Sequence, residues 1–482
     1  MKQVGIAVLC GALVVITGCT LMSEHKSDAP QVDIPDKWVG ASAEAAPLVE
    51  PWLDDFGDPK LSSLVREAVV ANFDLQAAAT RVEASRALAI IRGADRFPQI
   101  TGFVDASRTK RNVSSGGIVF SASRNNSYGS GLDIFWEADI WGRLSNQARA
   151  ALFDVEVSQA EFAAARLSLA ANVARVWFDA IASELQVKLV EQTLQSFRDT
   201  LEVIEDGFRS GLNSALDVRL ARANVSGAIG RLESQKATSD AVRRQLDVLA
   251  GRYPSGKIEL DDNFPAITRN IPTGLPSELL LRRPDLIAAE QRVAATDERV
   301  NEANKRRLPS LVLTASGGTS SSELKEILDM DSLVWAIASA LTAPIFQGGR
   351  LKAQSDLAIA DSREALANYA EALLRAFQEV ETALTAEVFL VRQEAALKNA
   401  ANESIEAEKL ALEQYREGLV DIITLLESQR RSFDAQQALI TTTNQRLQNR
   451  INLYLALGGE FDQLHDSTSK QRDTISTMAT AE

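Results

Sequence analysis

The sequence predicts a mostly α-helical chain with a β-barrel portion, built as a tandem repeat that supplies four β-strands per chain. Three observations predict it. The stretch "NFDLQAAATRVEASRALAIIRGADRFPQI" at Asn72–Ile100 returns as "RRPDLIAAEQRVAATDERVNEANKRRLPSL" at Arg282–Leu311. Asp74 falls on Asp285, Leu75 on Leu286, Arg81 on Arg292, Val82 on Val293, Arg96 on Arg307 and Pro98 on Pro309. Next, Gly142–Phe208 and Gly349–Tyr415 are proline-free runs of 67 residues. At about 1.5 Å per residue each would form a rod of about 100 Å, which no compact globule accommodates. Finally, each unit carries two runs of alternating apolar and polar residues between its short and long helical segments, the period of strands with unlike faces.

The elements follow in chain order. Lys2 is the only charge before the apolar run Val4–Ile16, which has the length of a signal-peptide core. It is too short to span a bilayer comfortably, and no other segment has 18 consecutive apolar residues. The run ends in "VITGCT", which resembles a bacterial lipoprotein box. On that reading residues 1–18 are removed and Cys19 is lipidated; the alternative is an ordinary secretory peptide with a chance cysteine. Thr20 is not the Asp that retains many lipoproteins at the inner membrane, so the resemblance points to the outer one. One acyl chain anchors weakly and several hold firmly. Cys10 leaves with the signal, so no intrachain disulfide is available to the mature chain. Residues 19–55, with four prolines before Leu53 and little periodicity, read as a lipid-anchored extended segment.

The first unit, 56–251, opens with the helical stretch quoted above. Strands are expected at about 98–108 and 128–140, joined by a polar loop, Thr109–Asn126, lying outside. In the second of them Tyr128, Leu132, Ile134 and Trp136 face away from Asp133, Glu137 and Asp139, with Phe135 out of pattern. A long helix over about 142–208 carries a seam at Val187, Val190, Leu194, Phe197, Leu201, Ile204 and Phe208, whose steps of three and four are coiled-coil spacing. Gly211 breaks it, as glycine does at helix ends, and a return helix follows over about 212–250. After a linker, 252–274, the second unit spans 275–458. It has strands at about 308–318 and 333–346, a polar loop Thr319–Ser332, and a long helix over 349–415 with a weaker seam at Leu397, Ala401, Ser404 and Ala411. A break at Gly418 and a return helix over 419–457 complete it. "FRSGL" at Phe208–Leu212 answers "YREGL" at Tyr415–Leu419 at an offset of 207, against 211 for the opening pair, so an indel lies within Ile100–Trp141. The lengths place two shorter helices end to end beside each long one. Residues 459–482 read as a flexible tail.

Four strands with an apolar outer face cannot stand alone in lipid, where each unpaired N–H or C=O costs several kcal/mol. The ring must close between chains. Two chains give eight strands, a barrel filled by its own side chains; three give 12 and room for water. Two near-equivalent units per chain would then lend a trimer approximate sixfold symmetry.

"FGDPKLSSLVREAVVANFDLQAAATRVEASRA" (Phe56–Ala87), "GLPSELLLRRPDLIAAEQRVAA" (Gly274–Ala295) and the paired glycine turns resemble the TolC family of outer-membrane efflux factors. The resemblance is strongest to its lipoprotein branch, typified by OprM and the NodT-like proteins, and covers essentially the whole mature chain. It implies a homotrimer whose β-barrel crosses the outer membrane of a Gram-negative bacterium and continues into a periplasmic α-helical tunnel. It implies as partners a periplasmic adaptor and an inner-membrane pump, expected to be proton-driven. No cofactor is implied beyond the lipid on Cys19. In the family, acidic residues just after the tip turns narrow the pore; Asp217, six residues after Gly211, and Glu427, nine after Gly418, match such positions. Thr424 stands where the second unit would carry the first of these acids, and Asp421 is a further candidate off the family position. The bland reading of all three is solvated cap and surface carboxylates. At the tips Arg209, Gly211, Leu212, Arg416, Gly418 and Leu419 form the turns, the arginines either bonding the last helical carbonyls or facing the adaptor. Trp136 and Trp335 suit a membrane-interface belt; for Trp141 core packing is as good a reading.

Net charge is −14 with a pI near 4.9, which disfavours a nucleic-acid partner. His25 and His465 are the only histidines, and no metal spacing, nucleophile elbow or phosphate loop stands out, so an enzyme is not expected. A periplasmic coiled-coil scaffold lipoprotein would explain the rods but not the hairpins. Within the channel class, Met22, Met330 and Met478 are the only methionines of the mature chain. That tilts the cargo from copper or silver toward drugs or other small organic compounds, with heavy-metal efflux and type I protein secretion as alternatives.

Overall fold

The computed structural model describes residues 24–28, 32, 35, 38–40, 52–115, 118–267, 282–327 and 329–459. The expected signal, Cys19, the end of the linker and the tail lie outside them. The helices are α1 (Pro59–Ala71), α2 (Phe73–Ala94), α3 (Arg143–Arg209), α4 (Ala215–Leu249), α5 (Pro284–Lys305), α6 (Arg350–Arg416) and α7 (Ile422–Ala456). The strands are β1 (Gln99–Ser115), β2 (Ile118–Ala138), β3 (Ser310–Ser321) and β4 (Leu333–Thr342). They form one antiparallel sheet in the order β1-β2-β3-β4.

Two compact units emerge from the chain's contacts. One holds residues 81–159 and 288–370 with the described residues before 32, and therefore the whole sheet. Within it, register separates two faces. Ile100 stands opposite Ile134, Gly102 opposite Leu132, and Ala106 opposite Tyr128. Trp136 continues this face into Leu313, and Ala315 into Ile134 and Ile337. The other face carries Thr101 opposite Asp133 and Asp133 opposite Ser316. Phe135 lies on this polar face, opposite Gln99 and Thr314.

Strand lengths depart from expectation. Thr109–Asn126 is not a loop: β1 pairs with β2 out to Ser115 and Ile118, with one irregularity after Val113. Backbone pairing satisfies N–H and C=O groups whatever the side chains are, so a polar hairpin extends the ladder where a polar composition suggested its end. In contrast, β4 stops at Thr342 and not near residue 346, since Pro344 has no N–H to give the ladder.

The second unit, residues 32–80, 160–287 and 371–482, holds the main core. Trp52–Phe56 is a buried 3-10 turn, so residues 19–55 are not extended to their end. The reason is burial of three apolar side chains: Trp52 stacks on Tyr454 at 5.6 Å and Phe56 meets Phe178 at 5.1 Å. Each such side chain contributes about 1.5–3 kcal/mol. Arg450 pairs with Asp55 at 2.6 Å, and the Tyr454 hydroxyl donates to the same carboxylate at 2.9 Å. Upstream, the Val39 and Gly40 N–H groups donate to Glu381, each at 2.7 Å. In the sheet-bearing unit, Ser27 binds Asp297 through its N–H (2.8 Å) and hydroxyl (2.7 Å). The described parts of this segment are thus docked, not loose.

The repeat is legible at the helix junctions of this unit. Asn72 accepts the Leu75 N–H at 3.1 Å, capping α2, and its amide donates to Leu249 O, at the end of α4, at 3.1 Å. At the equivalent place in the second repeat Arg283 donates to Ala456 O, at the end of α7, at 3.2 Å, and pairs with Asp285 (2.8 Å) and Glu379 (2.6 Å). The helix ends therefore meet head to tail at both places. Burial also follows the seam of α3, at Val187, Val190, Leu194, Phe197 and Ile204, whereas Phe208 is exposed.

Candidate functional site

Two regions bear on function, one in each unit. The first is the sheet. Among the described residues β1 pairs only with β2 and β4 only with β3, so both outer edges carry unpaired backbone groups. Its apolar face is open: Trp335 is 73% exposed, Ile337 76% and Leu341 68%. A sheet with two free edges and an uncovered apolar face is unfit for water on one count and for lipid on the other. Trp136 lies near the base of β2, its indole N–H donating to Arg96 O at 2.9 Å. Trp335 pairs with Gly317, which is four rungs from the Trp136 partner Leu313, about 13 Å along a strand. Tyr128, eight residues from Trp136 on the same face, was not picked out as its counterpart. Trp141 is half-buried, its N–H donating to Pro309 O at 2.6 Å, at the junction leading into β3.

The second region is the pair of tip turns. α3 ends with Gly211 at φ +78°, where the Leu212 N–H reaches back to Gly207 O at 2.8 Å. α6 ends alike, with Gly418 at φ +76° and the Leu419 N–H on Gln414 O at 2.9 Å. This six-to-one bond around a left-handed residue closes a helix, and glycine takes that conformation without Cβ strain. With the last carbonyls so occupied, Arg209 turns instead to Asp206. Arg416 is exposed, and Leu212 (83%) and Leu419 (69%) stand in the open.

The acidic candidates have definite local work. Ser214 and Asp217 form a capping box at the start of α4: the Ser214 N–H donates to Asp217 at 2.7 Å and the Asp217 N–H to Ser214 Oγ at 3.2 Å. At the equivalent start of α7 the two roles are exchanged. Asp421 is the cap, accepting the Thr424 N–H at 2.8 Å and the Thr424 hydroxyl at 2.7 Å. The acid missing at Thr424 is thus present three residues earlier. Those hydrogen bonds from Thr424 hold the Asp421 carboxyl below the usual carboxylate range. Glu427 lies farther along, hydrogen-bonded by Arg430 (2.8 Å) and Arg431 (2.8 Å), and these two guanidiniums lower its pKa to about 2. Capping is the signal that spacing from glycine alone did not reveal. The rest of the tip is apolar packing: Ile204, Val218, Ala221 and Ile422 are buried together.

Among the described residues no cluster of His, Cys, Asp and Glu could hold a metal ion, and no helix is long and apolar enough to cross a membrane. The second statement leaves the strands untouched.

The family described as outer membrane efflux protein matches residues 64–252 and again 275–459, one match for each copy of the repeat. The chain belongs to the outer membrane efflux protein family. It is 32% identical to the outer membrane protein OprJ of Pseudomonas aeruginosa over 95% of this chain and 96% of that protein. It is 30% identical to the antibiotic efflux pump outer membrane protein ArpC of Pseudomonas putida, over 92% and 93%. The cation efflux system protein CusC of Escherichia coli is 27% identical over 94% of this chain and 98% of its own length. Among solved structures, the outer-membrane channel OprN superposes with a TM-score of 0.84 at 26% identity, covering 91% of this chain and all of that one. This efflux protein family is one of channels and not of enzymes, and its members are outer-membrane components of tripartite efflux systems.

Proposed function

We propose that three copies of this chain close a 12-stranded barrel in the outer membrane and serve as the passive exit conduit of a tripartite pump. The observation that carries this is the four-stranded sheet with two unpaired edges and one uncovered apolar face. Joining β4 of one copy to β1 of the next satisfies the edges and turns the apolar face to lipid, while the face bearing Thr101, Asp133 and Ser316 lines the lumen. Trp136, Tyr128 and Trp335 then stand in or at the rims of the apolar band, where indole and phenol suit the headgroup boundary. Lipid on Cys19 anchors each chain.

The tips meet a periplasmic adaptor, with exposed Leu212 and Leu419 offering apolar contact and Arg209 and Arg416 flanking it. A proton-driven inner-membrane pump supplies the energy, and this chain is its passive exit. Asp217, Asp421 and Glu427 form the acidic collar of the resting constriction, which repels anions. The carboxylates of the first two are also helix caps, so the collar is held by the same bonds that start α4 and α7.

The cargo is a small organic compound. Likeness to ArpC, which is named for antibiotic efflux, supports this, and the single methionine among the described residues, Met330, offers no thioether path for copper or silver. Disrupting the gene while leaving the pump intact tests the assignment. Cells should accumulate an amphiphilic fluorescent dye and become sensitive to hydrophobic drugs, with copper and silver tolerance unchanged. Loss of metal tolerance alone would move the chain to the cation branch represented by CusC.

A further inference from the structure

The far half of the first hairpin is basic in an acidic chain. Residues 107–127 contain Arg108, Lys110, Arg111 and Arg124 and no Asp or Glu, against a net charge of −14 for the whole. Register places three of these cations on one face. Lys110 stands directly opposite Arg124, and Arg108 lies two residues below Lys110 on the same side. That side is the apolar one: rising along it come Ile100 and Ile134, then Leu132, then Ala106 and Tyr128, then Arg108, and last Lys110 with Arg124.

All three cations are exposed, and among the described residues none forms an ion pair. Like charges directly across a ladder are unfavourable, so the hairpin wants an anion from outside the chain. Its position says which. Arg124 is 12 residues beyond Trp136 on β2. That is about 40 Å along the strand, or about 30 Å along the membrane normal at a tilt near 40°, just past an apolar band of about 25 Å.

We infer that Arg108, Lys110 and Arg124 form a binding site for the phosphates of a phosphorylated glycolipid in the outer leaflet. The Lys110–Arg124 pair grips one phosphate, with Arg124 able to give two parallel N–H bonds, and Arg108 adds a third cation toward the lipid side. This rests on the barrel reading above, which turns this face outward.

The test uses the full-length assembly in mild detergent, with bisphosphorylated lipid A, its dephosphorylated form and inorganic pyrophosphate as probes. Bound lipid per assembly is read by native mass spectrometry. The bisphosphorylated lipid should be retained at least 10-fold more tightly than the dephosphorylated one, should weaken as salt screens the charges, and should lose that preference in the R108Q/K110Q/R124Q variant. Should that variant fail to assemble, R124Q alone and the salt titration of the unaltered protein decide. Displacement by pyrophosphate at equal concentration would make the site one for free phosphate and overturn the lipid assignment. So would a variant that retains lipid like the parent. A third overturning result is a K110E variant that weakens the assembly and is rescued by Asp331→Lys, which would place the cluster against a neighbouring copy's β3–β4 connection, where Glu323, Glu326, Asp329 and Asp331 lie. A protein that neither inserts nor conducts sinks the barrel reading and this site with it; one that conducts but ignores the phosphates sinks this site alone.

Discussion

Four glycines share nearly the same left-handed backbone and differ in their surroundings, which makes them a controlled series. Gly211 (φ +78°) and Gly418 (φ +76°) sit at the tips, where an added Cβ would meet nothing within 4 Å. Gly458 (φ +67°) would place it 3.0 Å from the Arg282 carbonyl, and Gly251 (φ +71°) 2.6 Å from Ala71 O. Alanine at φ near +70° costs about 1–2 kcal/mol, and stiffening the unfolded chain offsets about 0.4–1 of that. Gly418→Ala should therefore cost only about 0.5–1 kcal/mol. Gly251→Ala adds a collision with backbone that cannot swing aside, about 1–3 kcal/mol by analogy with overpacking, for a total near 2–4. Gly458→Ala should fall between. At about 2.1 cal/mol/K of unfolding entropy per residue, a chain of 482 residues shifts by about 1 °C per kcal/mol, so thermal unfolding of the detergent-solubilised protein should drop by about 2–4 °C for Gly251→Ala and by about 0.5–1 °C for either tip variant. Equal losses at Gly251 and Gly418, or a larger one at Gly418, would refute the head-to-tail meeting of α4 with α2.

Arg450→Leu should cost about 3–5 kcal/mol, because it strands the buried Asp55 carboxylate, and Asp55→Asn in the same chain should restore much of it; urea unfolding of the single and double variants measures both. Asp421→Ala should lower stability by about 1 kcal/mol through loss of the α7 cap and, on the collar reading, reduce cation over anion selectivity in planar bilayers. Glu427 has a folded pKa of about 2, below the ordinary 4.5, so its stabilising contribution is present above about 4.5 and is lost as pH falls toward 2. In Arg430→Gln/Arg431→Gln that acid-side loss should vanish, since the carboxyl then titrates alike folded and unfolded, as comparison of stability between pH 5 and 2 with Glu427→Gln would reveal.

Much of this fold was readable because its elements are long and periodic. The 67-residue helices α3 and α6 contain no proline, and each stops at a glycine that structure places in the left-handed region. What escaped reading was local hydrogen bonding and long-range pairing. Thr109–Asn126 looks like loop because it is polar, yet ladder bonds do not depend on side-chain polarity. Trp52 and Phe56 sit in a proline-rich stretch with no period, and only the distant Tyr454 and Phe178 explain their burial. At the tips, counting from glycine found Asp217 but not its partner Ser214, and it treated Thr424 as a missing acid. The exchange of roles between Ser214–Asp217 and Asp421–Thr424 appears only when the two caps are compared.

The central claim is that the free edges of β1 and β4 are joined between copies. A cysteine pair is the direct test: one cysteine on the outer edge of β1 at Val104 and one on β4 at Ile337, in a chain that keeps Cys19 as its lipid anchor, with the single-cysteine chains as controls. Oxidised in the membrane and run under denaturing conditions, it should yield covalent dimers and closed trimers and nothing larger, from a protein that conducts ions across a planar bilayer. Crosslinks confined within one chain, or an uncrosslinked monomer from membranes that do not conduct, would contradict the account.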